Sequence, residues 1–194
     1  GDCVECVILA AGSSSRLGMD KALIDVGPQK LISWISQRLS GRVANITIVV
    51  NEANFMEISE LVSYANVVLN PDPHKGRTGS LKVGIDSIDS SGKVDYGLLV
   101  VPVDRPGFSD STLDRLIFSD ETCCPMKKGR GGHPLALTLE DVDKVRKSSP
   151  NLPLREVIEA SKFEVLDRFL DLNIDTPDDI KDLAEKLRTV NQET

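Results

Sequence analysis

The chain has 194 residues, close to the size that one hydrophobic core can fill, so we expect a single domain over residues 1–194. A composition of 40% hydrophobic and 27% charged residues excludes a disordered chain, and the lack of an apolar run of about 20 residues predicts a cytoplasmic protein without a membrane span. The formal net charge of -7 argues against binding to nucleic acid, which normally needs a basic surface.

The first half of the chain predicts buried strands that alternate with amphipathic helices. Residues Val4–Ala10 form an almost continuous apolar run that ends in a glycine and serine cluster, as is typical of a strand covered on both faces. Apolar residues recur at helical spacing over Leu31–Leu39, and Gly41 ends that helix. The other elements expected in this half are strands at residues 45–50 and 67–69 and helices at residues 57–63 and 81–88.

The second half continues the alternation. Residues 96–101 are the most hydrophobic stretch of the middle region, and Pro102 ends them as a strand. We interpret strands at 122–126 and Leu135–Leu137 as a smaller lobe. The other expected elements are helices at residues 111–118, 140–146 and 154–160, a strand at residues 169–174 and a last helix that starts at Thr176 and Pro177. The alternation of strands and helices predicts an α/β fold with a mostly parallel sheet.

Four cysteines raise the question of a zinc site, which their spacing does not favour. Cys3 and Cys6 lie three residues apart in the first strand, so their side chains point to opposite faces and cannot share a metal. Cys123 and Cys124 lie together in a later expected strand. We interpret all four as small core thiols.

The segment after the first strand has the composition of a phosphate-binding loop. Residues 9–21 read Leu-Ala-Ala-Gly-Ser-Ser-Ser-Arg-Leu-Gly-Met-Asp-Lys, and they lie where ligands of open α/β sheets bind. Glycines let backbone N–H groups approach phosphate oxygens, and Arg16 and Lys21 can neutralise the charge. No Gly-Lys-Ser/Thr follows Gly12, so the loop is not a Walker A motif, and a dinucleotide fingerprint would need a glycine two places after it. The alternative is a flexible serine-rich loop.

Two aspartates are candidate ligands of Mg²⁺. Asp104 follows the strongest central strand, and Asp175 precedes Thr176 at the start of the last helix. Magnesium usually takes one or two carboxylates and completes its shell with phosphates and water. The alternatives are a turn aspartate at position 104 and a helix cap at position 175, and Asp171 or Asn173 could replace Asp175.

Two glycine-containing segments are candidates for substrate binding. Residues 76–81 precede a helix, so their N–H groups and Ser80 could contact the nucleotide. Residues 127–130, Lys-Lys-Gly-Arg, suit an acceptor phosphate or form a solvent-exposed turn. His133, beside Gly132, is a candidate acceptor contact, with packing or hydrogen bonding as the alternative role.

The run from Leu9 to Lys21 resembles the signature of the Rossmann-like nucleotidyltransferases, in the branch of molybdenum cofactor cytidylyltransferases and molybdopterin guanylyltransferases. Further segments stand in that family's order along nearly the whole chain: Asn70-Pro71, Gly79-Ser80-Leu81, Pro102-Val103-Asp104, Gly132-His133-Pro134 and Asn173-Ile174-Asp175-Thr176-Pro177. The resemblance implies a three-layer α/β/α Rossmann-like nucleotidyltransferase fold in one domain.

The resemblance also implies roles for the matched residues. Arg16, Lys21 and Asp104 are the expected catalytic residues. Lys21 would stabilise charge at the α-phosphate, and Asp104 would bind the catalytic Mg²⁺, with Asp175 as the second candidate ligand. Gly132 and His133 are expected to contact the acceptor. The expected nucleotide-binding residues are Leu9, Ala10, Ala11, Gly12, Ser13, Asn70, Gly79 and Ser80.

We therefore expect Mg²⁺-dependent transfer of a nucleoside monophosphate from a nucleoside triphosphate to a small phosphorylated acceptor such as molybdopterin, with release of pyrophosphate. Ala10-Ala11-Gly12 resembles the cytidylyl branch and favours CTP, whereas Asp20-Lys21 resembles the guanylyl branch. Pro102-Val103-Asp104-Arg105 departs from the strict molybdenum cofactor cytidylyltransferases, so a sugar phosphate or methylerythritol phosphate is an alternative acceptor. A second alternative is a nucleotide-binding partner without turnover. Transient contact with an enzyme that accepts the cofactor is expected.

Overall fold

The computed structural model describes residues 4–192 of the chain, so the expectation for Cys3 lies outside the described residues. The strands are β1 (Val4–Ala10), β2 (Asp25–Val26), β3 (Gln29–Lys30), β4 (Ile46–Val50), β5 (Asn66–Leu69), β6 (Gly97–Pro102), β7 (Cys123–Lys127), β8 (Arg130–Gly131), β9 (Leu135–Leu137) and β10 (Ser161–Glu164). The α-helices are α1 (Leu31–Leu39), α2 (Phe55–Leu61), α3 (Arg77–Ser90), α4 (Asp110–Ile117), α5 (Leu139–Lys147), α6 (Leu154–Val157) and α7 (Leu183–Arg188).

The main sheet runs in the order β10-β7-β9-β6-β1-β4-β5, and β8 pairs with β7 at its side. Strand β1 lies between β4 and β6 and is parallel to both. Strand β9 is antiparallel to β6 and β7. The mostly parallel sheet expected from the sequence is therefore confirmed.

Helices cover both faces of the sheet, which gives three layers. Within β1, Cys6 and Ile8 belong to the core on one face, whereas Val7 and Leu9 belong to the core on the other. The first core takes its helical residues from α1, α2, α4 and α7, and the second from α3, α5 and α6. Because both faces of β1 are buried, its sequence is continuously apolar rather than alternating.

The path of the chain opens a crevice beside β1. From β1 the chain moves to β4 and β5 on one side, and then crosses the sheet through α3 to β6 on the other side. The carboxyl ends of β1 and β6 therefore meet at a switch in strand order, where open α/β sheets bind ligands. The loop that follows β1 and the loop that contains Asp104 both begin at this edge.

The smaller lobe expected at residues 122–137 is not present. Strands form there as β7 and β9, but they continue the main sheet: Ala136 of β9 lies opposite Leu99 of β6 and opposite Cys123 of β7. The prediction failed because a short apolar strand gives no indication of which edge it joins. Cys6, Cys123 and Cys124 are buried free thiols, and burial raises the pKa of each.

The end of the chain also differs from the sequence prediction. Residues 169–174 are turn and coil rather than a strand, and hydrogen bonds from Leu170 N to Asp167 O and from Leu172 N to Phe169 O are turn bonds. Their apolar side chains pack into the first core without joining the sheet, which explains the misleading pattern. The expected last helix is split into a 3₁₀ turn, Pro177–Ile180, and α7, because Asp182 has a φ of 56°.

Four short strands were not predicted from the sequence, namely β2 and β3, which form a hairpin, β8 and β10. The helix expected over residues 154–160 ends at Val157, as α6. Within residues 4–192, no helix is long and apolar enough to span a bilayer.

Candidate functional site

The loop after β1 is closed by contacts to Ser14. The amide of Gly18 donates to Ser14 O at 3.3 Å, and the amide of Lys21 donates to Ser14 Oγ at 3.1 Å. Ser14 and Gly18 have φ angles of 54° and 80°, so the backbone turns twice in the left-handed region. Lys21 thus begins a short 3₁₀ helix close to the end of β1.

Two asparagines that follow β4 hold the start of this loop in place. Asn54 Nδ2 donates to Ala10 O and to Asp20 Oδ2, both at 2.9 Å, while Asn51 Nδ2 donates to Ala11 O at 3.3 Å. Burial raises the pKa of Asp20 and outweighs its hydrogen bonds to Ala22 and Asn54, which lower it. We did not single out either asparagine in the sequence, although an Asn-x-x-Asn pattern directly after a buried strand is a usable signal.

The expected catalytic residues converge at the crevice. Lys21 Nζ lies 3.6 Å from Asp104 Oδ2 and 3.6 Å from Asp175 Oδ1, and Arg16 Nη1 lies 3.1 Å from Asp175 Oδ2. The side chains of Lys21 and Asp104 are 17% and 20% exposed, so this charge cluster is only partly screened by water. Two carboxylates and two cations from three distant parts of the chain thus share one cleft.

Asp175 reaches the cleft because its backbone is anchored twice. Ile174 N donates to Asp104 O at 2.9 Å, which joins the two aspartate-bearing segments. Asp179 Oδ2 accepts from the amides of Asp175 and Thr176 at 2.9 and 2.8 Å, and these bonds lower the pKa of Asp179. The carboxylate that caps this turn therefore belongs to Asp179, and the carboxylate of Asp175 faces Lys21 instead.

The two proposed substitutes for Asp175 lie elsewhere. Asp171 pairs with Lys127, at 3.4 Å from its Nζ. Asn173 lines a separate pocket with Asp171.

The cleft has a volume of about 280 Å³ and a mixed polar and apolar lining. Its lining includes the expected residues Leu9, Ala10, Ala11, Gly12, Ser13, Arg16, Lys21, Ser80, Asp104 and Asp175. Asn70 and Gly79 do not line it. Asn70 is buried and donates to Ser80 Oγ at 2.9 Å, so it fixes Ser80 from behind. A Cβ at Gly79 would lie 3.4 Å from Lys75 Cβ and 3.6 Å from Pro150 Cβ, so Gly79 packs against these residues.

The expected acceptor residues lie in an adjoining groove. Gly132 and His133 line a groove of about 1020 Å³, which meets the cleft at Gly76 and Arg77. Burial, followed by the charges of Arg77 and Arg105, lowers the pKa of His133 to about 3. His133 is therefore neutral at pH 7. The basic loop at residues 127–130 lines a third pocket, which also includes Gly132.

The donor set of the cleft fits Mg²⁺. In the described part of the chain, no group of three or more His, Cys, Asp and Glu side chains could hold a metal alone. Magnesium needs only one or two carboxylates when phosphates complete its shell. Asp104 and Asp175 meet that need, because both already contact the same ammonium group.

Comparison with known proteins identifies the fold. A nucleotidyl transferase from Methanothermobacter thermautotroptrophicus superimposes with a TM-score of 0.76 at 21% identity, covering 97% of this chain and 100% of that one. The manganese complex of Rv0371C from Mycobacterium tuberculosis gives a TM-score of 0.70 at 17% identity, covering 94% and 98%. A 4-diphosphocytidyl-2C-methyl-D-erythritol synthase gives 0.68 at 12%, covering 96% and 99%. These likenesses confirm the Rossmann-like nucleotidyltransferase fold.

Sequence comparison identifies the family. A molybdenum cofactor guanylyltransferase of Sinorhizobium fredii (strain NBRC 101917 / NGR234) is 28% identical over 205 residues, covering 93% of this chain and 90% of that protein. The family model described as a MobA-like NTP transferase domain matches residues 6–165. The chain therefore belongs to the MobA-like NTP transferase domain family, as a nucleotidyltransferase.

Proposed function

We propose that this nucleotidyltransferase uses Mg²⁺ to move GMP from GTP onto the phosphate of a small acceptor, with molybdopterin as the first candidate. The observation that carries the proposal is the cluster of Lys21, Asp104 and Asp175 at the mouth of the loop after β1. It combines cations suited to a triphosphate with carboxylates suited to its metal.

The reaction needs no dedicated general base. A phosphomonoester has a second pKa of about 6 and is largely dianionic at neutral pH, so an acceptor oxygen can attack the α-phosphorus directly. A new P–O bond forms to that oxygen as the bond from the α-phosphorus to the bridging oxygen breaks, and the electron pair leaves with pyrophosphate. Catalysis then consists of holding two anions in line and screening their charge.

The residues of the cleft divide this work. Backbone N–H groups of Gly12 and Ser13 are suited to triphosphate oxygens, and Arg16 and Lys21 to the charge that develops on the transferred and leaving groups. Mg²⁺ held by Asp104 and Asp175 would supply further charge screening between the phosphates. Both cations now neutralise these aspartates, so they are already placed where triphosphate charge would enter.

The relatives favour GTP over the CTP expected from Ala10-Ala11-Gly12. The Sinorhizobium fredii relative is a guanylyltransferase, and Asp20-Lys21 resembles the same branch. Cytidylyl transfer to methylerythritol phosphate is the second candidate, because Ala10-Ala11-Gly12 favours CTP and a 4-diphosphocytidyl-2C-methyl-D-erythritol synthase shares the fold. Transient contact with an enzyme that receives the finished cofactor belongs to the same proposal.

Pyrophosphate release tests the proposal. Each of the four ribonucleoside triphosphates would be assayed with Mg²⁺ or EDTA against molybdopterin, methylerythritol phosphate and a sugar 1-phosphate. We expect release with GTP, Mg²⁺ and molybdopterin, and a loss of about 10²-fold or more in kcat for Lys21→Ala and Asp104→Ala. Lys181→Ala is the matched control, because Lys181 and its partner Asp178 are both exposed.

The other possible results of this assay each lead to a different conclusion about the function. Full Mg²⁺-dependent release by Asp104→Ala would exclude the proposed metal site. Nucleotide binding without release on any acceptor would favour the partner protein without turnover. Release with CTP and methylerythritol phosphate would select the second candidate.

A further inference from the structure

Two arginines lie beside the groove: Arg77 lines the groove itself, and Arg105 lines the third pocket, which shares Gly131 and Gly132 with the groove. Arg77 begins α3, lines both the cleft and the groove, and has its Nη1 3.4 Å from His133 Nε2. Arg105 follows Asp104, and its Nη2 donates to Leu170 O at 3.3 Å. Among residues 4–192, neither guanidinium forms an ion pair within 4.0 Å, although the chain has a net charge of -7.

His133 contacts one of these arginines, Arg77. A guanidinium can only donate, so its approach to Nε2 makes that nitrogen the acceptor and places the ring proton on Nδ1. His133 Nδ1 and Arg105 Nε are both buried without a hydrogen-bond partner among the described residues. This region thus contains two cations and two unsatisfied buried nitrogens, and in the described part of the chain no carboxylate lies within 4.0 Å of either guanidinium.

The electrostatic environment is consistent with this arrangement. Burial lowers the pKa of Arg105, and the charge of Arg77 lowers it further, whereas the charges of Asp104 and Asp171 raise it. Burial, followed by the charges of Arg77 and Arg105, lowers the pKa of His133. The like charges are therefore close enough to repel each other. A bound dianion would relieve this repulsion, and the planar guanidinium fork is well suited to phosphate oxygens.

The position of the arginines suits the acceptor rather than the nucleotide. Arg105 is adjacent in sequence to Asp104, yet it lines the third pocket with Gly132 instead of the cleft. The groove beyond Arg77 is lined partly by the apolar residues Leu135, Pro150, Leu152, Pro153 and Ile158. A molecule with a phosphate at one end and a broad, partly apolar body could place the phosphate beside Arg77 and Arg105 and the body in the groove.

We propose that Arg77 and Arg105, together with His133, form the subsite that binds the acceptor's phosphomonoester and thereby select a phosphorylated acceptor. This inference rests on the proposed transfer reaction and names its acceptor-specific residues. Arg77 and Arg105 hold the attacking phosphate beside Asp104, and the groove receives the rest of the acceptor.

A binding experiment tests the subsite without catalysis. The chain has two histidines, His74 and His133, so ¹⁵N signals of the imidazole rings can be assigned by replacing His74. Inorganic phosphate is titrated at constant ionic strength, with sodium chloride as the reference. We expect the His133 signals to shift in the wild type and in Arg16→Gln, but not in the double variant Arg77→Gln/Arg105→Gln. The absence of a wild-type shift, or its persistence in the double variant, would overturn the inference.

Kinetics distinguish this inference from the proposed reaction. Arg105→Gln should raise KM for the acceptor about 10- to 100-fold, the range for losing one or two charge-assisted hydrogen bonds, while KM for the triphosphate stays within about threefold. Arg105→Lys should recover only part of the loss, because an ammonium cannot bind two phosphate oxygens side by side. Arg188→Gln, at an exposed helix position, is the control.

Failure of the two proposals gives different results. If the wild type releases no pyrophosphate with any acceptor, the proposed function fails, whatever the phosphate titration shows. If the wild type is active and Arg105→Gln changes KM for the triphosphate alone, or neither KM, the acceptor subsite is wrong and the reaction stands.

Discussion

His133 gives the stability of the protein a pH dependence that can be measured. Its pKa is lowered to about 3 in the folded state, from an ordinary value of 6.5. Between these pH values the unfolded chain binds a proton that the folded chain does not, so stability falls as the pH falls below 6.5. We expect a loss of about 2 kcal/mol between pH 7 and pH 5 from this histidine alone.

Urea unfolding at pH 7 and pH 5 checks this expectation. His133→Gln should remove most of the difference, because glutamine does not titrate. His74→Gln is the control, since the side chain of His74 is 80% exposed. An equal loss of stability on acidification in His133→Gln and the wild type would show that His133 is not the responsible group.

Asn54 provides a second prediction at a single residue. It is fully buried and donates to Ala10 O and Asp20 Oδ2, so Asn54→Ala leaves one buried and one half-buried acceptor without this donor. We expect a loss of about 2–3 kcal/mol in the free energy of unfolding and a higher KM for the triphosphate, because the loop loses its anchor. Asn66→Ala, which removes an exposed hydrogen bond to Ser87, should change neither quantity appreciably. Unchanged stability and KM in Asn54→Ala would exclude the anchoring role.

For single residues, the sequence predicted the members of motifs better than the residues that hold those motifs in place. Lys21 and Asp104 were expected in one cleft, and they lie 3.6 Å apart. Asn54 was not predicted, because the fold brings its partners, Ala10 O and Asp20 Oδ2, to it from a distant part of the chain. Asn70 was expected to touch the nucleotide but is buried behind Ser80.

At the scale of secondary-structure elements, the two segments that carry Asp104 and Asp175 pack closely against each other. A Cβ at Gly107 would lie 1.8 Å from Phe169 O, so the loop after β6 is pressed against the backbone of the segment that leads to Asp175. Gly107→Ala must separate these segments and disturb the hydrogen bond from Ile174 N to Asp104 O. We expect a loss of about 3 kcal/mol or more in stability and a strong loss of Mg²⁺-dependent activity.

Gly41→Ala is the matched control for this prediction. Its Cβ would meet no atom within 4 Å, but its φ is 85°, so only backbone strain of about 1 kcal/mol is expected. Chemical denaturation and pyrophosphate release would be measured for both variants. If Gly107→Ala is as stable and active as Gly41→Ala, the two aspartate-bearing segments do not depend on this contact.

The prediction of elements from the sequence succeeded where burial is continuous and failed where turns bury apolar side chains. Strands β1, β4 and β6 have apolar runs that can be read directly. Residues 169–174 have a similar pattern, but their backbone bonds to Asp104 and to turns rather than to a strand. A local apolar pattern indicates which side chains are buried, but it does not indicate which segment the backbone hydrogen-bonds to.

At the scale of the whole molecule, alternation of elements predicted the layers and the sheet, whereas strand order needed the structure. The misplaced lobe at residues 122–137 shows this limit, because antiparallel β9 extends the parallel part of the sheet. The order of strands places the loop after β1 beside the loop after β6, and residue 175 joins them from near the other end of the chain. The candidate site therefore depends on the folding of nearly the whole chain.

This dependence predicts linkage between ligand binding and global stability. A ligand that binds only the folded chain adds about 2.7 kcal/mol to the free energy of unfolding at 100 times its dissociation constant. GTP with Mg²⁺, at 100 times its dissociation constant, should therefore raise the free energy of unfolding by about this amount. GTP with EDTA should give much less, because its triphosphate then meets Asp104 and Asp175 without a cation between them.

Asp104→Asn makes this prediction specific to the metal. The variant removes one negative charge from the cleft, so GTP in EDTA should stabilise it more than it stabilises the wild type, and addition of Mg²⁺ should add less. Urea unfolding of both proteins, with GTP alone and with GTP and Mg²⁺, measures the two increments. Asp178→Asn, at an exposed position paired with Lys181, should behave as the wild type. An Mg²⁺ increment in Asp104→Asn equal to that of the wild type would mean that the metal is held elsewhere, because removing a true carboxylate ligand must weaken the coupling between metal and triphosphate.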